Sequence, residues 1–193
     1  MVQVMTSNPR TSIDTRPPLT ASRLTASHDL RDITDGLTVG VICKNPSQPD
    51  DWTSNSTFGG MRRWAESGTK FTELPIARIE VTNLFGHRAT NNECLGKMGY
   101  LAAVVDGNDE EITSMVRRVD LIIAAWGDRS GVDAAVYSRR VAEVLDLVGS
   151  RTLHRVGTLT TRGNPRHPAR NGWAGRTLTE WYAPRARSFG QVA

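Results

Sequence analysis

Four short stretches hold most of the side chains suited to chemistry: Asn45-Pro46-Ser47, Asn83-Leu84-Phe85, Trp126-Gly127 and Asn164-Pro165-Arg166-His167-Pro168. A carboxamide donates and accepts hydrogen bonds on one planar group, so Asn45 and Asn83 suit the edge of a heterocycle. An imidazole such as that of His167 can stabilise negative charge growing on a leaving group, and turn amides can add to the effect. Asp50 and Asp51, just past Asn45, are carboxylates able to take a proton. No G-x-x-x-x-G-K-S/T or G-x-G-x-x-G loop occurs, which argues against a P-loop or hydride-transfer enzyme, and no G-x-S-x-G elbow is present. His28, His87, His154 and His167 lack the i, i+4 spacing of a helical metal site, and Cys43 and Cys94 form no C-x-x-C pair. No metal and no cofactor is expected.

The elements that must position these residues are legible in part. Leu37–Cys43 (LTVGVIC) is a short β-branched run stopped by Pro46. Ile76–Phe85 and Thr152–Gly157 read as two more strands, and Val119–Trp126 as a strand buried on both faces, given its continuous apolarity. Between them lie helical patterns. Ser54–Ala65 has Ser56 or Thr57 to cap it. Asn108 to about Arg118 opens on acidic residues. Asp133–Val148 places Val136, Val141, Val144, Leu145 and Val148 on one face and ends at Gly149. A last helix is expected over Ala174–Tyr182. Strands alternating with helices predict a three-layer α/β domain, a four-stranded parallel sheet flanked by helices, over residues 37–183. Residues 1–36 read as a flexible or strapping arm and 184–193 as a tail. In parallel sheets ligands bind at the carboxyl ends of the strands, where all four stretches fall.

Charge is unevenly placed. Of the overall +4, residues 151–193 carry +7, with eight arginines, no lysine and the single acid Glu180, which leaves −3 for residues 1–150. Such a basic quarter points to an anionic partner, nucleic acid first among them. Arg162, Arg166 and Arg170 flank His167, with Arg88 near the second strand end, and are the expected phosphate contacts. Trp173 and Trp181 offer stacking surface beside them. No apolar run reaches membrane-spanning length and the N-terminus lacks the order of a signal peptide, so a cytoplasmic protein is expected, with no obligatory protein partner.

The motifs in order, namely Asn45-Pro46-Ser47, Asn83-Leu84-Phe85 with Arg88-Ala89-Thr90, Asn108-Asp109, Ala125-Trp126-Gly127 and Gly163-Asn164-Pro165-Arg166-His167-Pro168, resemble the family catalogued as domain of unknown function 1643 over roughly residues 37–170. One departure stands out: Asn55-Ser56-Thr57 occupies the place of the family's usual Asp-Pro-Thr. The same residues have a more distant resemblance to the uracil-DNA glycosylase superfamily. Its motifs are a first-strand loop, an Asn ending the second strand, Trp-Gly after the third and His-Pro-Ser after the fourth. Lys44-Asn45-Pro46-Ser47, Asn83, Trp126-Gly127 and His167-Pro168 are similar to these.

That resemblance implies a uracil-DNA glycosylase-like fold and an enzyme that cleaves the N-glycosidic bond of a flipped-out base in DNA. His167 would donate a hydrogen bond to the departing base and Asn83 would read its edge. Asn45 would position the attacking water, with Asp50 or Asp51 as general base. Phe85, Trp52 or Phe58 would stack on the base, and Trp126, at the third strand end, would also contact it. Ser47 stands where strict uracil enzymes carry a tyrosine that blocks the pyrimidine 5-position, so a modified base, for instance in viral DNA, is the expected target. Two other readings remain at this stage: a non-catalytic module that binds a nucleotide or modified base, and a base-modifying or nucleotide-metabolism enzyme on the same fold.

Overall fold

The computed structural model describes residues 25–30, 35–46, 57–67, 74–88, 95, 97–169 and 172–183. Its centre is the parallel sheet that the apolar runs foretold. Strands β2 (Leu37–Cys43), β3 (Ile76–Asn83), β4 (Leu121–Ala124) and β5 (Leu153–Val156) are mutually parallel, in the spatial order β3-β2-β4-β5. The expected four-stranded, all-parallel sheet is nevertheless incomplete. Strand β1 (Ala26–Asp29) adds antiparallel to β3, and β6 (Leu178–Tyr182) adds antiparallel to β5, so the sheet has six strands and is mixed.

Both additions have a physical reason for escaping notice. The β1 sequence, Ala-Ser-His-Asp, carries no apolar alternation and joins by backbone pairing, Ala26 opposite Val81 and Asp29 opposite Arg78. In the last segment Ala174, Leu178, Trp181 and Tyr182 have helix-like spacing, which predicts the helix over Ala174–Tyr182. The structure has a strand there instead. Leu178 packs on one face of the sheet and Trp181 and Tyr182 on the other, a use of β-favouring side chains that tertiary contact rewards.

Among the described residues the helices that cover the sheet are α1 (Thr57–Glu66), the short α2 (Tyr100–Val104), α3 (Asn108–Arg118) and α4 (Ala134–Val148). Successive strand residues point to opposite faces. Val41 and Cys43 join the cluster with Phe58, Met61 and Trp64 of α1, whereas Ile42 joins the one with Ile112, Met115, Val144 and Val148 of α3 and α4. The result is a three-layer arrangement. Asp133 caps α4 by accepting hydrogen bonds from the amides of Ala135 (2.9 Å) and Val136 (3.1 Å). Past the end of α3, Arg151 donates to the carbonyls of Val116, Val119 and Asp120 at 2.7–2.9 Å, satisfying groups that the helix leaves open. No helix among the described residues is long and apolar enough to cross a membrane.

Candidate functional site

The carboxyl ends of the four parallel strands come together through backbone hydrogen bonds between their loops. Leu84 and Phe85, after β3, donate to the carbonyls of Cys43 (2.8 Å) and Lys44 (2.9 Å), after β2. Gly127, after β4, donates to Pro165 in the loop after β5 at 2.9 Å. Gly127 has φ +68°, and a Cβ there would lie 3.2 Å from that of His167, so both the turn and the close approach call for glycine. The four predicted motifs therefore share one edge of the sheet.

Asn45 and Asn83 line one narrow pocket, of about 10 Å³, with Pro46, Cys43, Val81, Ala26 and the first residues of α1, Thr57 and Phe58. Asn83 is buried, and the backbone on which it sits is held from behind. The Asn108 amide donates to the carbonyls of Asn83 (3.1 Å) and Leu84 (3.2 Å). Arg140, 1% exposed, donates to the Leu84 carbonyl at 2.6 Å and to Asp109 at 2.6 Å, and reaches Glu143 at 3.3 Å. Tyr100 hydrogen-bonds to the same Glu143 carboxylate. Burial disfavours the charged carboxylate of Glu143, but hydrogen bonds from Tyr100, Arg139 and Arg140 outweigh it and hold its pKa below the ordinary value.

The Trp126–Asp128 turn and the loop from Thr158 to Pro168 stand at the same sheet edge. Asp128 accepts from Thr160 (2.7 Å) and Asn164 (2.8 Å), and those bonds overcome partial burial to keep its carboxyl below the usual range. Tyr137 of α4 donates to the Gly127 carbonyl at 2.6 Å, and Lys44 to the Asp128 carbonyl at 3.3 Å. His167 is partly exposed. Desolvation first, and the nearby charge of Lys44 second, push its pKa down to about 4. The Ala169 amide donates to Nδ1 at 3.2 Å, so the neutral ring carries its proton on Nε2. The site thus pairs amides that can read a polar heterocycle with an uncharged imidazole donor. Among the described residues no three His, Cys, Asp or Glu side chains gather as a metal would require.

Other expected site residues fall elsewhere. Phe85 is fully buried in the core with Ile42 and Leu84, so it cannot stack on a ligand; Phe58 lines the pocket instead. Trp126 is 1% exposed and packs edge-on against Trp181, with ring centroids 5.4 Å apart. Trp173 is equally buried: it meets Trp64 edge-on and donates to the Arg166 carbonyl at 2.9 Å, bracing the His167 loop. Arg166 folds back on the Thr158 carbonyl (2.9 Å), Arg88 is half-buried, and Arg162 is exposed. Ser47, Asp50, Asp51, Trp52 and Arg170 lie outside the described residues.

Lys44, Asp128, Tyr137 and Arg140 were given no role by the sequence. Arg140 had one usable signal: it sits between Tyr137 and Val144, at the i+3 and i−4 positions of the buried stripe of α4, where a charge needs a reason.

A family model described as protein of unknown function (DUF1643) matches residues 29–169 of the chain. No curated protein and no solved structure matches it.

Proposed function

We propose, from the premise that the chain belongs to the DUF1643 family, that it is a DNA glycosylase-like N-glycosidic hydrolase acting on a flipped-out, modified base. The observation that carries this reading is the setting of His167: its Nδ1 accepts from the Ala169 amide, which leaves Nε2–H to donate, and desolvation favours the neutral ring. Breaking an N-glycosidic bond puts negative charge on the departing base. A fixed neutral donor stabilises that charge more in the transition state than in the ground state. Asn83, on a backbone braced by Asn108 and Arg140, would read the base edge, and Asn45 would hold the attacking water. Asp50 or Asp51 would take the water's proton. The order of the motifs on four parallel strands supports a uracil-DNA glycosylase-like core inside the larger mixed sheet. Phosphate contacts would come from Arg88, Arg162 and Arg170, and Ser47 would leave room for a substituent of the kind carried by viral DNA.

The test is incubation of the protein with DNA bearing a panel of modified bases, followed by mass spectrometry of released bases and a count of abasic sites. Release of at least one modified base, lost in His167→Ala, is the expected result. Asn45 stands where a carboxylate would make a stronger base, and this favours one alternative, a module that binds a modified base without cleaving it. If no base is released while both Asn45→Asp and His167→Ala weaken DNA binding, the binding reading holds and the hydrolase reading fails. Activity on free nucleotides alone would point instead to nucleotide metabolism.

A further inference from the structure

Lys44 takes no part in the reaction just described, yet it is buried at the same strand ends as Asn45 and Asp128. The chain has 21 arginines and only three lysines, Lys44, Lys70 and Lys97. An arginine keeps its proton however deeply it is buried, whereas a lysine can give its proton up. Lys97 is exposed, as lysines normally are, but Lys44 is 8% exposed. Among the described residues its Nζ makes one hydrogen bond, at 3.3 Å, to the Asp128 carbonyl. An ammonium has three protons to satisfy, so one long bond holds the charge poorly and eases the loss of a proton. Burial lowers its pKa, and the attraction of Asp128 offsets only part of that.

Topology puts the amine where a ligand would be. From β2 the chain passes to β3 on one side and then crosses to β4 on the other. The order reverses between β2 and β4, and the crevice of such a sheet opens between those two carboxyl ends. The Lys44–Asp128 hydrogen bond spans that gap. On one side the next residue, Asn45, lines the pocket with Asn83, and on the other His167 lies within electrostatic reach of Lys44.

We propose that Lys44 is a Schiff-base nucleophile that acts on the abasic deoxyribose left after base release, giving the protein a strand-cutting lyase activity. This rests on the glycosylase reading for the source of its substrate. The amine lone pair adds to the aldehyde carbon C1′ of the ring-opened sugar. The two amine hydrogens leave with the aldehyde oxygen as water, and a C=N bond forms. Protonation of that imine acidifies C2′. Loss of a C2′ proton then expels the 3′-phosphate oxygen with its bonding pair, which breaks the strand. Water hydrolyses the imine and returns the amine.

The experiment uses the full chain and a duplex carrying one preformed abasic site, with borohydride present to reduce the imine to a stable amine. A covalent protein–DNA adduct is expected, mapped by mass spectrometry to the peptide containing Lys44. It should fall at least tenfold in Lys44→Met and persist in Lys97→Met. Lys44→Gln, with circular dichroism on each variant, guards against a folding defect, and the wild-type adduct map needs no variant at all. No adduct from folded wild-type protein, an adduct on Lys97 or the α-amine, or one undiminished in folded Lys44 variants overturns the proposal. Base release from the modified-base panel is scored in parallel. Release without an adduct refutes the lysine's role and leaves the glycosylase reading standing. An adduct without release of any base supports Lys44 and counts against that reading.

Discussion

Under the glycosylase reading His167 works uncharged, and its environment decides over what pH range it can. With a pKa of about 4 against an ordinary 6.5, the ring stays neutral at pH 7 and well below it. Base release should therefore hold level as pH falls from 7 toward 5 and drop once the ring protonates. A pH–rate profile that instead falls through 6.5 would mean the ring titrates like one in water. Stability follows the opposite convention from a salt-bridged histidine. Here the folded pKa lies below the unfolded one, so the unfolded chain binds the extra proton first. The contribution is complete above about 6.5 and is lost as pH falls toward 4. From the size of the shift it amounts to at most about 3 kcal/mol, reduced by whatever water the partial exposure admits. Urea midpoints at pH 7 and pH 4.5, wild type against His167→Phe, measure it: the wild type should lose more. His167→Ala should lower base release about 10²–10³-fold, the usual effect of removing one transition-state donor.

At the scale of elements, the site depends on two close joints. In α1 a Cβ on Gly60 would sit 2.8 Å from the Pro168 carbonyl oxygen. The helix can lie against the His167 loop only because residue 60 has no side chain. Gly60→Val should force the two apart at a cost of about 1–3 kcal/mol, and should reduce base release more than the loss of folded protein explains; activity per folded molecule is the quantity to compare. The other joint is Arg140, which links α3, α4 and the end of β3. Arg140→Met should cost about 2–4 kcal/mol in urea melts, since the Leu84 carbonyl loses a charged donor and Asp109 and Glu143 lose their partner. Sequence periodicity identified α3 and α4 and the four parallel strands because each buries a continuous stripe or run. It missed β1 and β6, which are held by backbone pairing and by contact with side chains far away in the sequence. That Asn45, Asn83 and His167 share one edge was legible because each follows a strand of a parallel sheet. Phe85 was misjudged because facing direction after a strand end is set by the turn, and Lys44 and Arg140 because burial of a charge shows only once the neighbours are in place.

For the whole molecule the basic C-terminal quarter is divided by the structure. Arg151 closes α3, and Arg166 folds back onto its own loop, so these two serve the fold. Arg162 remains exposed beside the His167 loop. DNA affinity should fall linearly on a log–log plot against salt, and Arg162→Gln should reduce the magnitude of that slope by about 1 for the one phosphate lost. An unchanged slope would remove Arg162 from the interface. The four described tryptophans form two edge-on pairs on opposite faces of the sheet, Trp64 with Trp173 and Trp126 with Trp181. Each pair has one indole rooted in a loop of the crevice or the segment bracing it. The chain therefore carries a built-in optical gauge: near-ultraviolet ellipticity from coupled indoles, read in Trp64→Phe and Trp181→Phe proteins, would report separately on each side of the sheet as a ligand enters.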